Sequence, residues 1–273
     1  MAFLRVNGVV LHHEFRGAAG KPVLVFANSL GTDFRIWHDV AARLDGRYRV
    51  LVYDKRGHGL SEATPAPYAM SDHVKDLAAL LDHHRIEKAA VVGLSVGGLI
   101  AQGLAALRPD LVAAMVLCDT AHKIGTEESW NTRIDTVIEK GIASIADGIM
   151  KLWFTPAYRS PDNADFVGYL AMLTRCPVEG YVGTCAAIRD ADLTESTRVL
   201  KIPVLCLVGD QDGSTPPDLV RSTAELIHGS EFRIVAGAGH IPCVEQPEAV
   251  ASLIDTFLRG AGYAKSSQSA QFV

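Results

Sequence analysis

The chain has 273 residues, of which 48% are hydrophobic and 21% charged; 26 Lys and Arg stand against 31 Asp and Glu, a net charge of −5. This composition excludes intrinsic disorder, which needs low hydrophobicity and high net charge. Without a basic surplus it argues against nucleic-acid binding, and an anionic ligand, repelled at long range, would need a local cation. The five cysteines (Cys118, Cys176, Cys185, Cys206 and Cys243) are odd in number, widely spaced and without a C-x-x-C pair. They indicate neither a disulfide nor a zinc framework; Cys118 and Cys206, inside apolar runs, read as small core residues, and a reducing cytoplasm fits. The stretch Met1 to Phe15 lacks the apolar core of a signal peptide.

In chain order, Val6–Val10 and Leu11–Phe15 read as an antiparallel hairpin around Asn7-Gly8. Apolar, β-branched runs follow at Val23–Phe26, Val50–Tyr53, Ala89–Val92, Ala113–Leu117, Val204–Val208 and Phe232–Val235. They are continuous rather than alternating, as in strands covered on both faces, which predicts a mainly parallel sheet. Between them lie helical patterns at Asp72–His84, with Ser71 as N-cap, Val96–Leu107, Pro217–Ile227 and Pro247–Leu258. The alternation is that of a doubly wound α/β fold. Ala89 to Leu107 is uncharged and as long as a membrane span. Gly93, Ser95, Gly97 and Gly98 break it, so it reads as strand, tight turn and helix instead.

Residues 122–200 interrupt the rhythm with helix-like segments at Ser129–Glu139, Ile142–Trp153, Asp162–Thr174 and Val178–Ile188 and no convincing strand. They predict a helical cap inserted after the sixth strand. The expected organisation is a core of residues 1–121 and 201–264, a cap of 122–200, and a Ser/Gln-rich flexible tail of 265–273.

Gly93-Leu94-Ser95-Val96-Gly97-Gly98 carries the chemistry. A strand precedes it and a helix follows, and the small residues permit a turn sharp enough to lift the Ser95 hydroxyl at the strand's carboxyl end. There the Val96 N–H, at a helix N-terminus, faces a developing negative charge. A serine hydroxyl needs a base, and His240, in Gly237-Ala238-Gly239-His240 after the last strand, is the candidate. His12, His13, His83 and His84 read as surface residues. The acid that orients His240 lies in Gly209-Asp210-Gln211-Asp212. Asp210, directly at the strand end, suits a loop brace, and Asp212, two residues further, can reach the histidine loop; Asp212 is the choice. The second oxyanion donor is the Leu30 N–H, in the loop Asn28-Ser29-Leu30-Gly31-Thr32. Asp54 to Gly59 reads as a structural turn with a wall role, and His58 has no second ligand spaced for a metal.

These motifs resemble those of the α/β-hydrolase family over nearly the whole chain: Gly93 to Gly98, Gly209 to Asp212 followed by Thr215-Pro216, and Gly239-His240. A narrower resemblance, to the 3-oxoadipate enol-lactonases of that family, rests on Asn28 to Asp33, Tyr53 to Gly59, Ile124 to Ile134, Trp153 to Pro156 and Glu179 to Tyr181. Asn28-Ser29 stands where many members carry His-Gly, and Lys55 where a threonine is common. The resemblance implies an α/β-hydrolase fold and the opening of an anionic enol-lactone by water, with neither cofactor nor metal. It also implies a cap cation for the substrate carboxylate. Arg133 and Lys123 are the candidates, with Trp130 as an aromatic wall.

Overall fold

The computed structural model describes residues 1–264. The expected tail, 265–273, lies outside the described residues. Strands β1 (Ala2–Val6) and β2 (Val9–Arg16) form the opening hairpin. Val6 ends the first strand instead of beginning one, because Asn7 and Gly8, both at positive φ, form the turn itself. Strands β3 (Val23–Ala27), β4 (Arg49–Tyr53), β5 (Ala89–Leu94), β6 (Val112–Cys118), β7 (Val204–Gly209) and β8 (Glu231–Val235) complete an eight-stranded sheet. Its order is β1-β2-β4-β3-β5-β6-β7-β8, parallel from β4 onward. β5 and β7 are buried along their whole length, as continuous apolar runs require.

Helices α1 (His38–Leu44), α2 (Met70–His83) and α3 (Val96–Leu107) follow β3, β4 and β5. α2 begins before Ser71: the Asp72 carboxylate accepts the Ala69 N–H at 2.9 Å, so Ser71 falls inside the first turn and is not the cap. The uncharged stretch 89–107 resolves into β5, a turn at Ser95 and α3. No helix among the described residues is long and apolar enough to cross a membrane.

Between β6 and β7 lie α4 (Glu127–Lys140), α5 (Ala146–Trp153), α6 (Ala164–Thr174), α7 (Val178–Arg189) and α8 (Thr194–Arg198). The segment predicted as one helix from Ile142 splits into a 3₁₀ turn, Ile142–Ser144, and α5. Helices α9 (Pro217–Leu226), α10 (Pro242–Glu245) and α11 (Pro247–Gly260) close the chain, each opened by proline in the first turn.

Two seams fasten α5 to the core loops. The His240 N–H donates to the Trp153 carbonyl at 2.8 Å, and the Gly213 N–H to the Leu152 carbonyl at 3.3 Å. Glu245 adds a third tie: one oxygen accepts the Thr155 hydroxyl at 2.6 Å, the other the Gly239 N–H at 2.7 Å.

Candidate active site

Ser95 sits between β5 and α3 at φ 56°, ψ −119°, outside the helical and extended regions. The hexapeptide is shaped for this. A Cβ on Gly93 would come within 2.2 Å of the Gly97 carbonyl oxygen, so no larger residue fits there. The Ser95 N–H donates to the Cys118 carbonyl at 3.0 Å, and the Ser95 carbonyl accepts the Thr120 hydroxyl at 2.6 Å. The strained residue is thus bolted to the end of β6.

His240 comes from the loop after β8 and is buried, as is Asp212 from the loop after β7. His240 Nδ1 lies 3.1 and 3.0 Å from the two Asp212 carboxylate oxygens. Asp212 also accepts the Ser214 N–H at 2.7 Å, the Thr215 N–H at 3.1 Å and the Thr215 hydroxyl at 2.7 Å. Burial alone would raise its pKa, but His240 and these donors outweigh burial and hold it at about 2. Asp210 instead accepts the Ala238 N–H at 3.2 Å from an exposed position. Of the two aspartates, only Asp212 meets the imidazole.

Ser95 and His240 line one cavity of about 250 Å³, together with Ser29, Leu30 and Thr215 from the core. No hydrogen bond joins the Ser95 hydroxyl to the imidazole among the described residues. Gly31, at φ +73°, turns the chain after Leu30. The N–H groups of Leu30 and Val96 donate to no acceptor among the described residues.

The cap supplies Trp130, Arg133, Trp153 and Tyr181 to the same cavity. The Trp130 ring nitrogen donates to the Ile124 carbonyl at 2.7 Å, which fixes the ring. The Arg133 guanidinium lies 4.9 Å from the centre of that ring, a cation–π distance. It has no carboxylate partner among the described residues and is the only Lys or Arg lining the cavity. Lys123 does not line the cavity: its exposed ammonium pairs with Asp192 at 3.0 Å, which corrects its expected place beside a substrate.

Several expectations for the remaining residues also change. His12 and His13 are buried rather than superficial, because β2 lies between β1 and β4. His12 Nδ1 bonds Asp54 at 2.7 Å. The turn 54–59 forms no wall of the Ser95 cavity; Asp54, His58 and Gly59 line a separate cavity against α6.

Two buried ionisable groups near the site escaped the sequence reading. Lys55 is fully enclosed, and burial pushes its ammonium down to about 7 against the pull of Asp54 and Asp33. Its Nζ lies 2.5 Å from the Ser29 carbonyl oxygen and 3.3 Å from that of Thr32. Asp119, directly after β6, stands with Asp212 and His240 in a cluster in which one carboxylate oxygen or ring nitrogen from each lies within 4.8 Å of the others. Burial, then the charge of Asp212, pushes Asp119 well above the usual carboxylate range. A charged residue just past a core strand, directly after β6 for Asp119 and two residues after β4 for Lys55, was the signal available.

Residues 9–253 match the model of the alpha/beta hydrolase family. The chain belongs to that family. It is 35% identical over 257 residues to 3-oxoadipate enol-lactonase 2 of Acinetobacter baylyi, covering 94% of this chain and 96% of the relative. The crystal structure of the enol-lactonase from Burkholderia xenovorans LB400 superposes with a TM-score of 0.91 at 34% identity, covering 94% of this hydrolase and 99% of that chain. A putative non-heme bromoperoxidase, BpoC of Mycobacterium tuberculosis, is 29% identical over 240 residues, covering 85% of this chain and 91% of the relative. The family likeness makes this chain a hydrolase, and the range of relatives leaves its substrate to be argued from the cavity.

Proposed function

We propose that this hydrolase opens 3-oxoadipate enol-lactone with water to give 3-oxoadipate, within bacterial catabolism of aromatic compounds. The observation that carries the reading is Arg133: an uncompensated guanidinium in the wall of a small cavity that also holds Ser95 and His240. A neutral ester gives no reason to keep such a charge there, whereas a substrate carboxylate does. The cavity, at about 250 Å³, is smaller than the roughly 300–1,000 Å³ of drug-sized ligand sites and suits a compact monocyclic lactone. The enol-lactonase relatives support the same choice.

In this reading Ser95 Oγ attacks the lactone carbonyl while His240 Nε2 takes its proton. Asp212, held ionised, keeps the imidazole oriented through Nδ1 and stabilises the cation that forms. The N–H groups of Leu30 and Val96 receive the oxyanion. The ring oxygen departs as an enol or enolate, protonated by His240, and leaves an acyl group on Ser95. Water, deprotonated by the same imidazole, then releases the diacid. No step calls for a group beyond these side chains, and five buried free thiols suit a reducing cytoplasm.

The test is a direct assay: loss of enol-lactone absorbance on addition of purified protein. Decay no faster than in buffer removes the lactone reading. Turnover of neutral chromogenic esters alone, abolished by Ser95→Ala, would place the protein among general esterases, and no turnover of either would make it a ligand-binding protein on a hydrolase scaffold.

A further inference from the structure

The loop that carries Leu30 is held from beneath by an unusual group. The Ser29 carbonyl oxygen accepts from three donors: Lys55 Nζ at 2.5 Å, the Thr32 hydroxyl at 2.9 Å and the Thr32 N–H at 3.3 Å. The Thr32 carbonyl accepts in turn from Lys55 Nζ at 3.3 Å and from the Asn28 side-chain amide. Lys55 is only 1% exposed. It forms no salt bridge among the described residues and spends its donors on backbone carbonyls of this one loop. A buried ammonium is costly, and sequence-distant anchoring of a five-residue loop could be met by neutral side chains.

The peptide geometry shows what the charge reaches. The Ser29 carbonyl and the Leu30 N–H belong to one peptide plane, and across a trans bond they point in opposite directions. Clamping the oxygen fixes the direction of the N–H. Below a pH of about 7, where the buried Lys55 keeps its proton, a cation on the oxygen also draws electron density through the conjugated amide and strengthens the N–H as a donor, as linked hydrogen bonds in a low-dielectric interior do. Ser29 and Leu30 line the Ser95 cavity, and the Leu30 N–H has no acceptor among the described residues.

We infer that Lys55 is a positioning residue for catalysis, which aims and polarises the Leu30 N–H through the Ser29–Leu30 peptide group so that it binds the oxyanion more tightly than the ground-state carbonyl. The inference rests on the proposed hydrolysis at Ser95. A group that acts on the oxyanion alone changes kcat and leaves ground-state binding intact, which a residue serving only the packing of the loop would not do selectively.

The experiment compares wild type, Lys55→Met and Lys55→Gln with a neutral chromogenic ester. Each protein is also titrated with a trifluoromethyl ketone, which forms a tetrahedral oxyanion on a serine, and with a carboxylate product as ground-state ligand. The variants are expected to lose about 10- to 10²-fold in kcat, less than the roughly 10²–10³-fold of deleting an oxyanion donor outright. The ketone should weaken in parallel, with KM and product affinity within about twofold. Gln keeps an N–H donor without the charge, so it should recover part of the loss, and it serves as the reading variant should Met fail to fold. A folded Lys55→Gln with wild-type kcat overturns the inference, as does a loss of product affinity equal to the loss of ketone affinity. Absence of Ser95-dependent turnover in the wild type instead removes the hydrolytic reading, and this inference with it.

Discussion

On the core side of the cavity the polar groups are tightly held: Asp212 takes the Ser214 and Thr215 amides, the Thr215 hydroxyl and His240, and the Ser29 carbonyl takes Lys55 and Thr32. On the cap side Arg133 rests against the Trp130 ring, half-buried and without an anionic partner. The contrast divides the labour. Groups that must be aimed before reaction begins gain from fixed partners, since reorganisation then costs nothing at the barrier. A group meant to meet a substrate charge must stay unpaired until the substrate arrives.

The largest expected effect breaks the core side outright. Ser95→Ala should lower turnover of enol-lactone and of neutral esters alike by at least about 10⁴-fold, measured as initial rates, with the thermal midpoint nearly unchanged because only a hydroxyl is removed. An activity that survives the substitution would mean that the chemistry lies elsewhere. Next comes the acid. Asp212→Asn should cost about 10⁴-fold in kcat, because an amide facing Nδ1 favours the wrong tautomer. Asp210→Asn should cost less than about tenfold, since it removes one exposed contact to the Ala238 N–H. Comparable losses in the two variants would defeat the assignment.

The cap side is sharpened by a different readout. Arg133→Ala should raise KM for the anionic lactone by about 10- to 10²-fold, the worth of a hydrogen bond to a charged group, and leave KM for a neutral ester within about twofold. Equal effects on both substrates would show that Arg133 shapes the cap rather than binding a carboxylate.

The same contrast explains what could be read from the sequence. The Ser95 turn was legible because its glycines fall in one hexapeptide: a Cβ on Gly93 would strike the Gly97 carbonyl, and one on Gly97 the Ala27 carbonyl at the end of β3. β3, β5 and β7 were legible because burial on both faces removes every polar residue from a run. The hairpin register was not, since alternation does not say which residue of Val6-Asn7-Gly8-Val9 ends a strand; the turn geometry decides it. Lys123 was misjudged for a physical reason of another kind. It sits at the entrance to the cap in sequence, but its side chain is turned to Asp192, 69 residues on, away from the cavity. Lys55 was read only as part of a structural turn because its partner, the Ser29 carbonyl, is 26 residues back and carries no side-chain signature.

Asp119 gives the smallest effect on activity and the subtlest test of the core side. One of its oxygens accepts the Gly209 N–H at 2.9 Å, and the other has no partner while the group is ionised. Burial, and then the charge of Asp212, raise its pKa well above the ordinary carboxylate value, and in the protonated form the proton gives the unpartnered oxygen a donor to offer the triad acid. Asn is then nearly isosteric and isoelectronic with the native group. Asp119→Asn should keep kcat within about threefold, the size of a small change in one hydrogen bond. Stability supplies the sign that activity cannot. The folded state retains this proton at pH values where the unfolded chain, with an ordinary aspartate, has released it. The native state therefore binds more protons, and this group's contribution to stability falls as pH rises above about 4. Asn does not titrate, so the thermal midpoint of Asp119→Asn should gain on that of the wild type as pH moves from 5 to 8. A midpoint difference that stays constant over that range would mean that Asp119 is ionised in the folded protein, with Asp212 beside a second negative charge.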